Sequence, residues 1–129
     1  MKKYLVYGIA VFLTVLCLFF TTACEKDKDF QYDINHLIGT EWGIPHIQDT
    51  GPGYTGYNMS APMVFHDDGR VTFGSTQTDF WEVRDSRSLL IQKRSQIWQV
   101  LDLSENKLHV EVLKHPTGEF LMNAIFYPM

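Results

Sequence analysis

Ala61-Pro62-Met63-Val64-Phe65-His66-Asp67-Asp68-Gly69-Arg70-Val71-Thr72-Phe73-Gly74 is two short alternating runs on either side of an Asp-Asp-Gly turn. In an extended chain, successive side chains point to opposite faces, so Met63 and Phe65 share one face and Val71 and Phe73 share another. Gly69 can adopt the positive φ of a tight turn, so the stretch predicts a β-hairpin.

The same pattern recurs downstream. Residues 78–84 and 87–94 alternate around a turn at Asp85-Ser86, with Trp81 and Val83 on one strand and Leu89 and Ile91 on the next. Residues 96–103 predict a strand with Ile97, Leu101 and Leu103 on one face. Ser104-Glu105-Asn106 then turns into 107–113, where Leu108, Val110 and Val112 alternate. His115-Pro116-Thr117-Gly118 is a further turn, and 119–127 sets Phe120, Met122, Ala124 and Phe126 on one side before Pro128.

Upstream, Asp33 is placed to cap a single helical turn over 34–38. Gly39 breaks that turn and residues 40–47 read as extended. Residues 48–60 carry Gly51, Pro52, Gly53 and Gly56 with two tyrosines, the composition of a long irregular loop. From Ile34 onward no segment longer than ten residues has helical apolar spacing, so the prediction for this part of the chain is all-β. About eight short strands in hairpin order suit a small up-and-down antiparallel β-barrel preceded by a short helical turn, with an open sandwich as second choice.

The amino terminus is of another kind. Met1-Lys2-Lys3 precedes an apolar run from Tyr4 to Phe20, followed by Thr21-Thr22-Ala23-Cys24, the order of a lipoprotein signal peptide ending in a lipobox. Cleavage after Ala23 makes Cys24 the lipid-bearing first residue. The alternative is an uncleaved anchor, but 17 residues at ~1.5 Å each span roughly 25 Å, short of a bilayer core. The organisation is then a signal peptide over 1–23, a lipidated flexible tether over 24–33 and a barrel domain over 34–129. The tether begins Glu25-Lys26-Asp27-Lys28-Asp29, too polar to bury.

Cys17 leaves with the leader and Cys24 takes the lipid, so the sequence predicts no disulfide and stability rests on an apolar core. Of 129 residues, 106 remain after the leader is removed. Losing Lys2 and Lys3 leaves 9 basic against 15 acidic residues, a formal charge of −6. With Lys93-Arg94 as the nearest approach to a basic cluster, nucleic acid is not an expected partner.

Leu37-Ile38-Gly39-Thr40-Glu41-Trp42 resembles the Gly-x-x-Trp motif that opens small lipocalin-like domains. Val64-Phe65, Asp68-Gly69, Val71 and Phe73 resemble the hairpin that follows it, and Trp98 to Leu103 with Leu108 fit too. The chain is similar over residues 36–127 to lipocalin-like lipoproteins of Bacteroidetes. The resemblance implies a barrel fold in which Gly39, Trp42, Asp68 and Gly69 are structural. A cysteine followed by acidic residues and lysines, with Glu25 rather than Asp after it, resembles the surface-export signal of such lipoproteins. That implies the outer membrane and its outer face. The chain departs from the lipocalin pattern in lacking an arginine on the last strand to stack over Trp42.

Catalytic and metal chemistry find little support. His36, His46, His66, His109 and His115 do not share one strand face; His66 beside Asp67 and Asp68 reads as a surface turn, so no metal and no cofactor is predicted. Ser60, Ser75, Ser88, Ser95 and Ser104 have no activating neighbours in the sequence, so no catalytic residue is assigned and no enzyme is expected. Tyr54 and Tyr57 in the loop can offer aromatic faces to a small apolar or glycan ligand, with Trp81 and Trp98 as further candidates at the barrel mouth. The leading expectation is a non-catalytic binding module held to the membrane through Cys24. The rival is a solidly filled barrel acting as an accessory subunit of a cell-envelope protein complex.

Overall fold

A computed structural model describes residues 30–129; the expected signal peptide over 1–23, Cys24 and residues 25–29 lie outside the described residues. The fold is all-β with a single helical turn, α1 (Ile34–Leu37). Eight strands follow: β1 (His46–Thr50), β2 (Met63–Phe65), β3 (Arg70–Phe73), β4 (Gln77–Asp85), β5 (Ser88–Ile91), β6 (Gln96–Ser104), β7 (Lys107–Lys114) and β8 (Phe120–Phe126). They form one curled antiparallel sheet, a half-barrel, in the order β1-β8-β7-β6-β5-β4-β3-β2. From β2 to β8 it is a meander, and β1 reaches around to pair with β8.

The first hairpin forms as its alternation requires. Met63 faces Phe73, Phe65 faces Val71, and Gly69 turns at φ +90°. Asp68 shapes the turn: its carboxylate accepts from the Arg70 N–H at 3.1 Å and from Arg70 Nε at 2.7 Å.

Three expectations need correction. The first concerns where the fold begins. Residues 30–33 are docked, not tether: the Phe30 ring is buried, and Gln31 N donates to the Ser86 carbonyl at 2.7 Å. Tyr32 OH donates to the Leu101 carbonyl at 3.1 Å. The charged run just before Phe30 hides this in the sequence, because a lone aromatic at its edge carries no periodicity. Residues 30–33 therefore belong to the packed unit, which the sequence alone begins at Ile34.

The second concerns the strand expected over 40–47. β1 occupies 46–50, and 41–43 makes only isolated bridges. Trp42 exchanges both backbone hydrogen bonds with Met63 of β2, at 2.9 and 2.8 Å. Its neighbours bond the tail beyond β8, Gly43 N to the Tyr127 carbonyl and Met129 N to the Glu41 carbonyl. The short segment 41–43 thus bonds the edge strand β2 on one side and the tail that continues β8 on the other, while β1 pairs only with β8 among the described residues.

The third concerns β6. Trp98 and Val100 face the core, Leu101 is exposed, and a bulge between Val100 and Asp102 brings Leu103 back inward. An inserted residue reverses the alternation midway, so no single face of period two describes the strand.

The concave side of the sheet is packed with aromatic rings. Trp98 stacks on Phe126 at 5.5 Å with the planes 20° apart, and Phe65 meets the edges of Trp81 and Trp98 at 5.5 and 6.1 Å. Leu37 of α1 is fully buried and plugs one end. The turns β2–β3, β4–β5 and β6–β7 gather at that end. The long loop over 51–60 crosses the opposite end.

Candidate functional site

The loop-covered end is where the side chains with chemical character converge. β1 leads into it at Gly51, whose N–H donates to the Leu121 carbonyl at 2.9 Å. A Cβ on Gly51 would lie 2.1 Å from the Phe120 carbonyl oxygen, so only glycine permits this approach. The loop then folds down: Met59 is buried, and the Tyr57 ring meets Phe126 edge-on at 6.1 Å. Burial pushes the Tyr57 hydroxyl well above its ordinary pKa of 10, only partly opposed by the Arg94 charge, so Tyr57 stays a neutral phenol.

Arg94 holds the loop in place. Its Nη1 donates to Asn58 Oδ1 at 3.0 Å, and its guanidinium sits 5.4 Å from the centre of the Phe73 ring. Beneath it, the buried carboxylate of Asp79 accepts from the backbone N–H groups of Phe80, Lys93 and Arg94 at 2.6, 2.7 and 3.1 Å. A carboxylate bonded in this way fixes the β5–β6 turn and so aims Lys93 and Arg94.

Two spaces adjoin Arg94. Tyr54, Tyr57, Arg94, Gln96, Leu121 and Met122 help enclose a cavity of about 50 Å³ under the loop. That is room for a few water molecules, whereas sites for small organic ligands are typically about 300–1,000 Å³. The other is an open groove of about 460 Å³ between the β3–β4 and β5–β6 turns, lined by Phe73, Gln77, Thr78, Asp79, Lys93 and Arg94. Its aromatic wall, Phe73, is buried under Arg94, and Asp79 is committed to the backbone, so the groove presents mainly cationic heads and hydroxyls.

The residues proposed from sequence separate into two groups. Tyr54 and Tyr57 do come together, as half-buried side chains of a packed loop. Trp81 and Trp98 are buried in the aromatic core and do not line the cavity under the loop. The Trp81 indole N–H donates to the His66 carbonyl at 2.9 Å, tying β4 to the first hairpin turn, and Trp98 Nε1 donates to Gln96 Oε1 at 3.1 Å. Trp42 is wholly buried; its indole N–H has no partner among the described residues.

His66 Nε2 pairs with Thr72 Oγ1 at 2.9 Å and His109 Nε2 with Asn123 Oδ1 at 2.6 Å. Among the described residues no three His, Cys, Asp or Glu side chains converge as metal ligands. Sequence reasoning missed the Asp79–Arg94–Asn58 arrangement; the adjacent Lys93-Arg94 pair was its one visible sign.

No protein-family model, no curated protein and no solved structure matches the chain. No helix among the described residues is long and apolar enough to cross a membrane.

Proposed function

We propose that this chain is an outer-membrane lipoprotein whose filled, lipocalin-like β-domain serves as a non-catalytic interaction subunit in the cell envelope. The observation that carries this reading is the packed interior. Rings from Phe65, Trp81, Trp98 and Phe126 pack against one another in the buried core on the concave side of the sheet, leaving no space there for a ligand of lipocalin size. An eight-stranded barrel has room only for its own side chains or for one small ligand, so filling it with indoles leaves the outer surface for recognition. The bridges of Trp42 to β2 on one side and to the tail beyond β8 on the other support a barrel closed around Trp42. The Met1–Cys24 pattern supports the lipid anchor, and Glu25 supports the outer membrane.

The surface best suited to a protein partner is the loop-covered end, where the Arg94 and Lys93 cations stand on a rigid turn beside Tyr54. The test is native mass spectrometry of the lipidated chain extracted from its own envelope, combined with a photocrosslinking residue at Thr55. The reading predicts a domain free of small molecules and one discrete protein adduct at position 55. A stoichiometric small-molecule adduct, lost on Tyr57→Ala, would establish the ligand-binding reading instead.

A further inference from the structure

Exposed apolar side chains are not spread evenly over the domain. Of the five large ones on the surface of the described residues, Ile44 (70% exposed), Tyr127 (44%) and Met129 (74%) fall within the segments before β1 and after β8, and Phe80 and Leu101 lie on β4 and β6. The Gly43 N–H donates to the Tyr127 carbonyl, the Met129 side chain packs beside Gly43, and the His46 ring meets Tyr127 edge-on at 5.2 Å. Pro45 and Pro128 lie between these residues in the chain. Such a cluster on an otherwise charged surface marks a contact site.

Its position in the fold says what it contacts. Residues 127–129 leave β8 at the end where the β2–β3, β4–β5 and β6–β7 turns gather, and 41–43 pairs with them there. Phe30 enters at the same end, through the bonds of Gln31 and Tyr32 to Ser86 and Leu101. Phe30 is six residues from Cys24, a reach of at most about 20 Å. The domain is longer than that tether: the nine residues of β6 alone extend about 30 Å.

We infer that this end docks on the bilayer in which Cys24 is anchored, with Ile44, Tyr127 and Met129 seated at the headgroup boundary and the loop-covered end turned away. The inference rests on the lipid anchor of the proposed function. A tyrosine flanked by aliphatic side chains has the amphipathic character that the boundary favours. Attraction to anionic lipid is not the source of the contact. Arg70, Arg84 and Lys107 are each held by an aspartate, at 2.7, 3.2 and 3.0 Å, Arg87 Nε donates to Gln31 Oε1 at 2.8 Å, and Asp33, Glu41, Asp67 and Glu105 add negative charge nearby. Insertion is therefore shallow, apolar and insensitive to salt. A second copy of the chain is a poorer occupant, because the adjacent edge strand β1 is short, bulged after Ile47 and carries Asp49.

Because Cys17 leaves with the leader and the Cys24 sulfur is acylated, a nitroxide can be attached to the full, lipidated protein through Ile44→Cys or Thr55→Cys alone. In phosphatidylethanolamine–phosphatidylcholine vesicles, the label at 44 should collide with a water-soluble nickel chelate about threefold less often than the label at 55, and with oxygen more often. The difference should persist at high salt. Equal, water-like collision rates at both positions, on protein whose mass includes the acyl chains, would overturn the docking inference and leave the anchor standing. Protection of residue 44 in whole envelopes but not in vesicles would overturn it in favour of a protein partner. A mass without acyl chains would overturn the anchor and the inference together.

Discussion

Asp79 shows how a single residue positions a surface from below. Its buried carboxylate accepts from the backbone N–H groups of Lys93 and Arg94 in the β5–β6 turn and from that of its neighbour Phe80 on β4. Asp79→Ala should destabilise the fold by about 2–4 kcal/mol in urea titration, since each N–H loses a charged acceptor. Tyr57 makes a separate prediction about alkaline pH. Its hydroxyl pKa is raised on folding, so the unfolded chain deprotonates first as pH passes 10. The associated stability is fully present below pH 10 and is lost as pH rises above it. Tyr57→Phe should leave stability at pH 7 nearly unchanged and remove part of the loss seen at pH 11. At acid pH the sign reverses. Arg70 lowers Asp68 by side-chain and backbone hydrogen bonds, and the Arg87 N–H lowers Asp85. Both contributions are present above the ordinary carboxylate pKa of 3.8 and fade as pH falls through the lower folded values. Asp85→Asn should flatten the acid limb of the stability profile.

At the scale of the element, legibility depended on whether the signal lay in one strand or between strands. The hairpin at 61–74 and the β7 alternation are visible because each strand's inward face repeats every second residue and Gly69 fits its turn. Gly69→Ala should cost about 1–2 kcal/mol for a positive φ that alanine resists. β6 defeated the same logic, because the bulge after Val100 is defined by the partner strand β7. The loop over 51–60 was recognisable from its glycines and tyrosines, yet its first three expected residues, 48–50, belong to β1. Their pairing is with β8, more than seventy residues away. Arg94 escaped notice for a similar reason: Asp79 and Asn58, which define its setting, reach it only through tertiary contacts. Gly51→Ala is the sharpest test of the loop's seating. A Cβ there meets backbone rather than a yielding side chain, so the β1–β8 pairing must open, and amide exchange at Leu121 and Met122 should accelerate while β3–β4 stays protected.

For the whole molecule, eight strands in one curled sheet, a helical turn closing one end and a packed loop covering the other leave an aromatic interior with little free space. The strand count and hairpin order were legible in the sequence, because turns and alternation are local. Whether the interior is open or filled was not, because that depends on which way Trp81 and Trp98 face. The central claim is that this interior is complete without a ligand. Xenon-pressurised crystals test it most directly, since xenon enters apolar voids and displaces nothing else. The account predicts no xenon among Phe65, Trp98 and Phe126 in the wild-type protein. In Trp98→Ala, destabilised by about 3–5 kcal/mol, a xenon peak should appear in the vacated space. A well-occupied xenon site in that region of the wild-type domain would contradict the account and restore a ligand chamber.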